Sequence, residues 1–174
     1  MDDVIAYFTT WTEGLVGVSH LIAAMTALAA GAIVLFARKG TGFHVALGYL
    51  YLLAMVAVNA TALSKYDLTG APNFFHAAAI GSSLTIIAAF AAAMAYRVTR
   101  NTSAAAAHGI FMIWSYYGLV AALVAEIVTR AYPAMLHGPG GWTRFFLALS
   151  AFMLVTGVIT HRYAKREVAR TLGG

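Results

Sequence analysis

The sequence predicts an all-α integral membrane protein, folded as an up-and-down antiparallel bundle of five transmembrane helices. The first observation is composition: 61% of the 174 residues are hydrophobic, only 10% are charged, and the mean hydropathy is +0.79. Soluble domains carry about 25% charged residues. The second observation is that the apolar residues form long runs. The third is that these runs lack the two-residue alternation expected of a β-barrel.

Each apolar run is long enough to cross a bilayer, whose hydrocarbon core of roughly 30 Å requires about 20 helical residues. The predicted spans are residues 15–37, 43–63, 74–96, 104–128 and 142–163. Short connections join the first four spans, so consecutive helices should be antiparallel neighbours. These four spans, within residues 15–131, are predicted to form the core of one membrane domain that comprises the whole chain, 1–174.

The segments outside the core are assigned from their composition. Residues 1–14 have an apolar stripe, which predicts a leader along the membrane interface. They lack the basic start and cleavage site of a signal peptide, so the first span should remain a helix. Residues 132–141 are rich in glycine and proline and are expected to form an outer loop. The fifth helix, 142–163, is followed by a basic tail, 164–174.

Basic residues are distributed unevenly between the two sets of connections, which predicts the orientation of the protein. Eight lysines and arginines follow spans one, three and five: Arg38, Lys39, Arg97, Arg100, Arg162, Lys165, Arg166 and Arg170. Three fall on the opposite side: Lys65, Arg130 and Arg144. Because basic loops stay in the cytoplasm, the N-terminus should be outside and the C-terminus cytoplasmic. The positive charge is thus explained by topology, and we expect a lipid bilayer as partner and no nucleic acid.

Four histidines occur at regular depths in the first four predicted spans. His20 and His76 lie near the predicted outer ends of spans one and three, whereas His44 and His108 lie near the inner ends of spans two and four. In an antiparallel four-helix bundle, spans one and three lie on one diagonal and spans two and four on the other. We therefore expect His20 to face His76, and His44 to face His108.

Each of these histidines shares a helix face with small or polar residues, as His44 does with Gly48. One explanation is helix packing, since small residues let transmembrane backbones approach closely. The other is that the missing side-chain volume accommodates a planar cofactor. Two b-type haems could then bind, one with His20 and His76 as iron ligands and the other with His44 and His108. The sequence contains no cysteine, which excludes iron–sulfur clusters, thiolate metal sites and covalently attached haem.

The leading functional hypothesis is transmembrane electron transfer through haem held by these two pairs, which would make the protein a membrane oxidoreductase. The alternation of histidines resembles the layout of ascorbate-reducible transmembrane di-haem cytochromes b. Two haems at opposite ends would let electrons cross the bilayer, and a quinone, superoxide or a small periplasmic reductant could be the outer redox partner. The sequence does not choose among these partners, and it leaves a homo-oligomer open.

Two alternative functions use different features of the same sequence. A metal-binding or metal-transport protein could hold zinc, copper or iron with His20, His76 and Glu126. Glu126 also has a structural interpretation, because Arg130 follows four residues later and can pair with it on one helix face. A non-catalytic assembly factor would need no cofactor. His137 is assigned to the outer loop and His161 to the inner membrane interface, and neither is included in a site, although His161 could lie near His44 and His108.

Two sequence segments carry a closer resemblance to a family. They are "HLIAAMTALAAGAIVLFARKGTGFHVALGYLYLLAM" and "HGIFMIWSYYGLVAAL", which begin at His20 and His108. Both resemble the bacterial membrane family called domain of unknown function 2306, and the resemblance covers spans one to four. Tyr49 and Gly109 stand where members of that family often have arginine. The resemblance implies a bacterial cytoplasmic membrane location and supplies no activity.

Overall fold

The structure is a computed structural model that describes residues 14–65, 70–131, 136 and 138–173. Five long helices occupy these residues: α1 Gly14–Phe36, α2 Gly42–Ser64, α3 Phe74–Thr99, α4 Thr102–Ala131 and α5 Gly141–Gly173. Each is long and apolar enough to cross a membrane, and the described residues include no strand. The predicted all-helical membrane class is therefore confirmed. Residues 1–13 of the predicted leader and half of the 132–141 loop lie outside the described residues.

Tight turns with specific caps separate α1 from α2 and α3 from α4. Between α1 and α2, Gly40 adopts a φ of 76°, in the left-handed region that favours glycine. Thr41 then accepts a hydrogen bond from the His44 backbone N–H at 3.2 Å, which caps the start of α2. Between α3 and α4, Arg100 has a φ of 55° and Asn101 accepts from the Ser103 N–H at 2.8 Å. These short turns make neighbouring helices antiparallel.

The first four helices pack in a ring. Helix α1 packs against α2 and α4, and α3 packs against the same two helices. The diagonals are therefore α1 with α3 and α2 with α4, as the sequence predicts. Helix α5 packs mainly on α4.

Helix α5 differs from its predicted extent, because it continues beyond residue 163 to Gly173. The segment predicted as a basic tail is thus helical through residue 173, which fits its content of alanine, arginine and glutamate. A Cβ added at Gly109 on α4 would lie 2.8 Å from Val168. The extension therefore packs closely against the start of α4.

The centre of the bundle is packed with small residues around a few large ones. Its buried cluster comprises Ala27, Ala30, Tyr51, Ala54, Met55, Ile86 and Leu119. The Tyr51 hydroxyl and the Ser115 hydroxyl form a buried 2.8 Å hydrogen bond from α2 to α4. A Cβ added at Gly31 would lie 2.5 Å from the Tyr116 ring and 2.8 Å from the Tyr51 ring. At this level, small residues serve helix packing.

The outward faces of the helices are strongly apolar. Large hydrophobic side chains are 63–89% exposed at Leu15, Phe36, Leu84 and Leu154. Water would make such surfaces unfavourable, at roughly 25 cal/mol per Å² of apolar area. A lipid bilayer is therefore the environment that these faces require.

Candidate functional site

Two of the four histidines meet at one end of the bundle. We call the end that carries the α1–α2 and α3–α4 turns the His44 end, and the opposite end the His20 end. His44 lies in the first turn of α2 and His108 in the second turn of α4. The two imidazoles are close enough to interact electrostatically. The structure thus places His44 and His108 at the same end of the bundle, on diagonal helices.

The ring nitrogens of this pair have different partners. His108 Nδ1 lies 3.0 Å from the Ala89 carbonyl oxygen, which can only accept, so Nδ1 carries the proton and Nε2 the lone pair. His44 Nδ1 is buried and has no hydrogen-bond partner among the described residues. The His44 ring also lies close to the Val34 carbonyl. An N–H donated to a backbone carbonyl is the usual second interaction of a metal-binding histidine.

A lysine places positive charge beside this pair. Lys39 Nζ donates to the carbonyl oxygens of Val34 at 3.1 Å and Leu35 at 2.7 Å, and it interacts electrostatically with His44. Partial burial of the ammonium group lowers the pKa of Lys39 below its usual value, and the Glu167 carboxylate on α5 opposes that shift. Lys39 therefore joins the end of α1, the histidine pair and the end of α5 electrostatically.

Open space adjoins His44 on its own helix face. A Cβ added at Gly48, one turn along α2, would meet no described atom within 4 Å. This contrasts with Gly31, where a Cβ would collide with two tyrosine rings. The absence of a side chain at Gly48 therefore leaves room that neighbouring helices do not fill.

The histidines at the His20 end have separate hydrogen-bond partners. His20 Nδ1 lies 2.8 Å from the Thr61 hydroxyl oxygen on α2. His76 is buried, and its Nδ1 accepts from the Asn73 backbone N–H at 3.2 Å, as part of a capping box that begins α3. These contacts give His20 a role between α1 and α2, and His76 a role in helix capping.

Glu126 forms the structural pair that its spacing predicts. Its Oε1 accepts from Arg130 Nε at 2.8 Å and forms an ion pair with Nη2 of the same arginine. The Glu126 carboxylate also interacts electrostatically with His20. Across the part of the chain that the structure describes, no group of three histidine and carboxylate side chains is arranged to hold a metal ion. The ion pair confirms the pairing of Glu126 with Arg130 that the sequence spacing predicts.

A cavity of about 900 Å³ lies in the bundle and reaches the His20 end. Its polar lining residues there include His20, Asn59, Glu126 and Arg130. His161, which the sequence assigned to the interface, also lines it and accepts a 3.4 Å hydrogen bond from the Trp114 indole N–H. His161 therefore forms a contact between α4 and α5.

Asn59 is a lining residue that the sequence places on a polar helix face without assigning it to a site. It is only 5% exposed, and its Nδ2 has no hydrogen-bond partner within the described residues. Its position was visible in the sequence, because Asn59 lies on the helix face that carries His44, Gly48 and Tyr51. His137 lies outside the described residues.

Taken together, the fold and the site define a polytopic helical membrane protein with paired histidines and an internal cavity. The family model described as "Predicted membrane protein (DUF2306)" matches residues 17–164. The chain belongs to this family. Because the match extends to residue 164, it includes most of α5, so the expectation that the fifth helix falls outside the family was wrong. Neither curated proteins nor solved structures give a match.

Proposed function

We propose that the protein is a membrane redox protein that binds b-type haem between His44 and His108. The observation that carries this proposal is that His44 and His108 occupy equivalent positions relative to the hydrogen bond between Tyr51 and Ser115. Tyr51 and Ser115 touch at 2.8 Å, and each lies seven residues after its histidine. Helices α2 and α4 run in the same direction, and seven residues are almost two full turns. The two imidazoles therefore project from the same faces that meet at Tyr51 and Ser115.

The properties of the pair fit the requirements of haem iron, which accepts neutral imidazole nitrogens as axial ligands. Two protein ligands are sufficient, so the proposal does not require a cluster of three. His108 presents its Nε2 lone pair, while His44 has a buried Nδ1 without a partner among the described residues. Gly48 leaves space beside the pair, and Lys39 supplies a positive charge that suits the carboxylates of haem. When bound, haem would supply reversible one-electron transfer.

The second haem, between His20 and His76, remains a separate part of the proposal. Those histidines lie at the opposite end of the bundle, so a second haem there would extend the electron path across the membrane. Haem b is proposed for both positions; a partner such as a quinone or a small redox molecule would exchange the electrons. A bacterial cytoplasmic membrane is the proposed location.

Absorption spectra test the proposal directly. The protein is expressed with ample haem, purified in detergent, and recorded in its oxidised and dithionite-reduced forms beside a metal analysis. We expect a Soret band, and we expect His44→Ala and His108→Ala each to remove most of the haem from the His44 end. His137→Ala is the matched histidine control and should retain the wild-type spectrum.

Other results would contradict the proposal in distinguishable ways. A protein that stays free of haem under these conditions refutes haem binding. Zinc or copper near one equivalent would favour the metal-binding alternative, and the absence of both would favour the assembly factor. His20→Ala tests the second haem, which would be refuted if His20→Ala and His44→Ala removed the same part of the spectrum.

A further inference from the structure

The cavity that reaches the His20 end is apolar over most of its lining and polar toward one end, as expected for a site that binds an amphipathic ligand. Its volume of about 900 Å³ lies within the range of small-molecule sites, about 300–1,000 Å³. Most of its lining is apolar, including Leu21, Met55, Phe111 and Trp114. The polar side chains that could orient a ligand are concentrated toward the His20 end.

The hydrogen bonds around Thr61 determine which nitrogen of His20 is available. The Thr61 hydroxyl donates to a backbone carbonyl, with Ala57 at 2.7 Å and Val58 at 3.0 Å. Its oxygen must then accept from His20, so Nδ1 of His20 carries the proton. Nε2 consequently holds the lone pair and acts as a hydrogen-bond acceptor.

Asn59 supplies the complementary donor at a similar depth. His20 lies six residues after the start of α1 and Asn59 five residues before the end of α2, which places both about 8–9 Å from the helix ends. The Asn59 side chain lines the cavity, and its buried Nδ2 is unpaired within the described part of the chain. Leaving such a buried donor unpaired is unfavourable, so a ligand oxygen that accepts from it would stabilise the complex.

We propose that this cavity binds a lipid-soluble quinone. One ring oxygen accepts a hydrogen bond from Asn59 Nδ2, and the opposite oxygen, as the hydroxyl of the reduced form, donates to His20 Nε2. The ring and its alkyl chain occupy the apolar part of the cavity beside Phe111 and Trp114. The Glu126 carboxylate and the Arg130 guanidinium compensate each other, which favours a neutral head group over a fatty-acid carboxylate. This site is separate from the His44–His108 pair and does not depend on a haem there. It uses the Nε2 nitrogen of His20 that the proposed second haem would also need, so the quinone and a haem between His20 and His76 are alternative occupants of this end.

Tryptophan fluorescence tests the proposal with decyl-benzoquinone as the probe. The full-length protein in detergent is titrated with the quinone, and we expect saturable quenching that Trp114→Phe largely removes. Asn59→Leu should weaken binding about 5- to 150-fold, the equivalent of losing a 1–3 kcal/mol hydrogen bond. Asn101→Leu, which changes the same residue type in the α3–α4 turn, should bind as wild type does.

A second variant and a second probe keep the result decisive. His20→Phe should weaken binding of the decyl-benzoquinol more than that of the quinone, because only the quinol donates to His20. Equal affinity for decylbenzene, which has no ring oxygens, would overturn the proposal and indicate an acyl-chain site. Unchanged affinity in folded Asn59→Leu would also overturn it. Haem content is measured separately, so failure of this proposal is distinguishable from failure of haem binding.

Discussion

At the scale of single residues, the same side-chain type performs different tasks at different depths. His76 caps the start of α3 through Asn73, whereas His161 accepts a hydrogen bond from Trp114 between two helices. His108 donates to a backbone carbonyl, which leaves its other nitrogen available. A histidine in a membrane helix is thus defined by the partner of each ring nitrogen, more than by its apolar surroundings.

The two kinds of glycine in the helices provide a residue-scale prediction. Gly31→Ala should destabilise the protein by about 1–3 kcal/mol, because the new methyl group would meet the Tyr116 and Tyr51 rings within 2.8 Å. Gly81→Ala is the matched control, since a Cβ there meets no described atom within 4 Å. The control should be neutral or more stable by up to about 1 kcal/mol through helix propensity. Unfolding in mixed detergent micelles measures both, and equal effects would contradict close packing at Gly31.

At the scale of helices, the ends are stabilised by specific caps that also position the candidate site. Thr41 begins α2 one turn before His44, and Lys39 donates to the final carbonyls of α1. A cation at a helix C-terminus is favoured by the helix dipole. The α1–α2 turn therefore fixes both the end of one helix and the charge beside the histidine pair.

Lys39 gives a pH prediction at this scale. Its pKa is lowered because partial burial disfavours the charged ammonium form. That cost to the folded state is present while Lys39 is protonated and disappears as pH rises from its lowered pKa past the usual 10.5, so stability should rise in that window. Acetylation of individual lysines, followed by mass spectrometry across pH, should give a midpoint for Lys39 below the usual lysine value of 10.5. A midpoint at or above that value would contradict the effect of burial.

At the scale of the whole molecule, the ring of four helices determines which histidines can meet. Because α2 and α4 lie on a diagonal and run in the same direction, residues equally far along the two helices from the Tyr51–Ser115 contact lie at similar depths. The same arrangement separates the His44 pair from the cavity that reaches the His20 end. Helix α5 lies outside the ring. Its His161 contacts Trp114 of α4, and its C-terminal extension packs Val168 against Gly109 of the same helix.

The orientation of this bundle in the membrane is a prediction at the molecular scale. The chain has no cysteine, so single cysteine variants can be labelled without background. Ser64→Cys lies at the His20 end and Ser103→Cys at the His44 end, and both serines are exposed. In intact cells, a membrane-impermeant maleimide should label Ser64→Cys, and should label Ser103→Cys only after permeabilisation. The reverse pattern would place the N-terminus inside.

Much of the architecture was predictable from the sequence because hydropathy and loop length determine it. The predicted spans agree with the helices to within a few residues at most ends, and the diagonal arrangement follows from short turns. The end of α5 was not predictable from hydropathy, since its last turns are polar but still pack Val168 against Gly109. The Glu126–Arg130 pair followed from i, i+4 spacing, which is a local feature.

The sequence by itself determined the membrane environment, the helical class, the number of spans and the position of each histidine along its span. These properties depend on composition and on position along the chain. Only the tertiary structure decided that His20 bonds Thr61, that Asn59 lines a cavity, and that His161 meets Trp114. Those contacts depend on the rotation of each helix and on the packing of its small residues. Periodicity restricts that rotation to a face, and the interlocking of side chains then selects the individual partners.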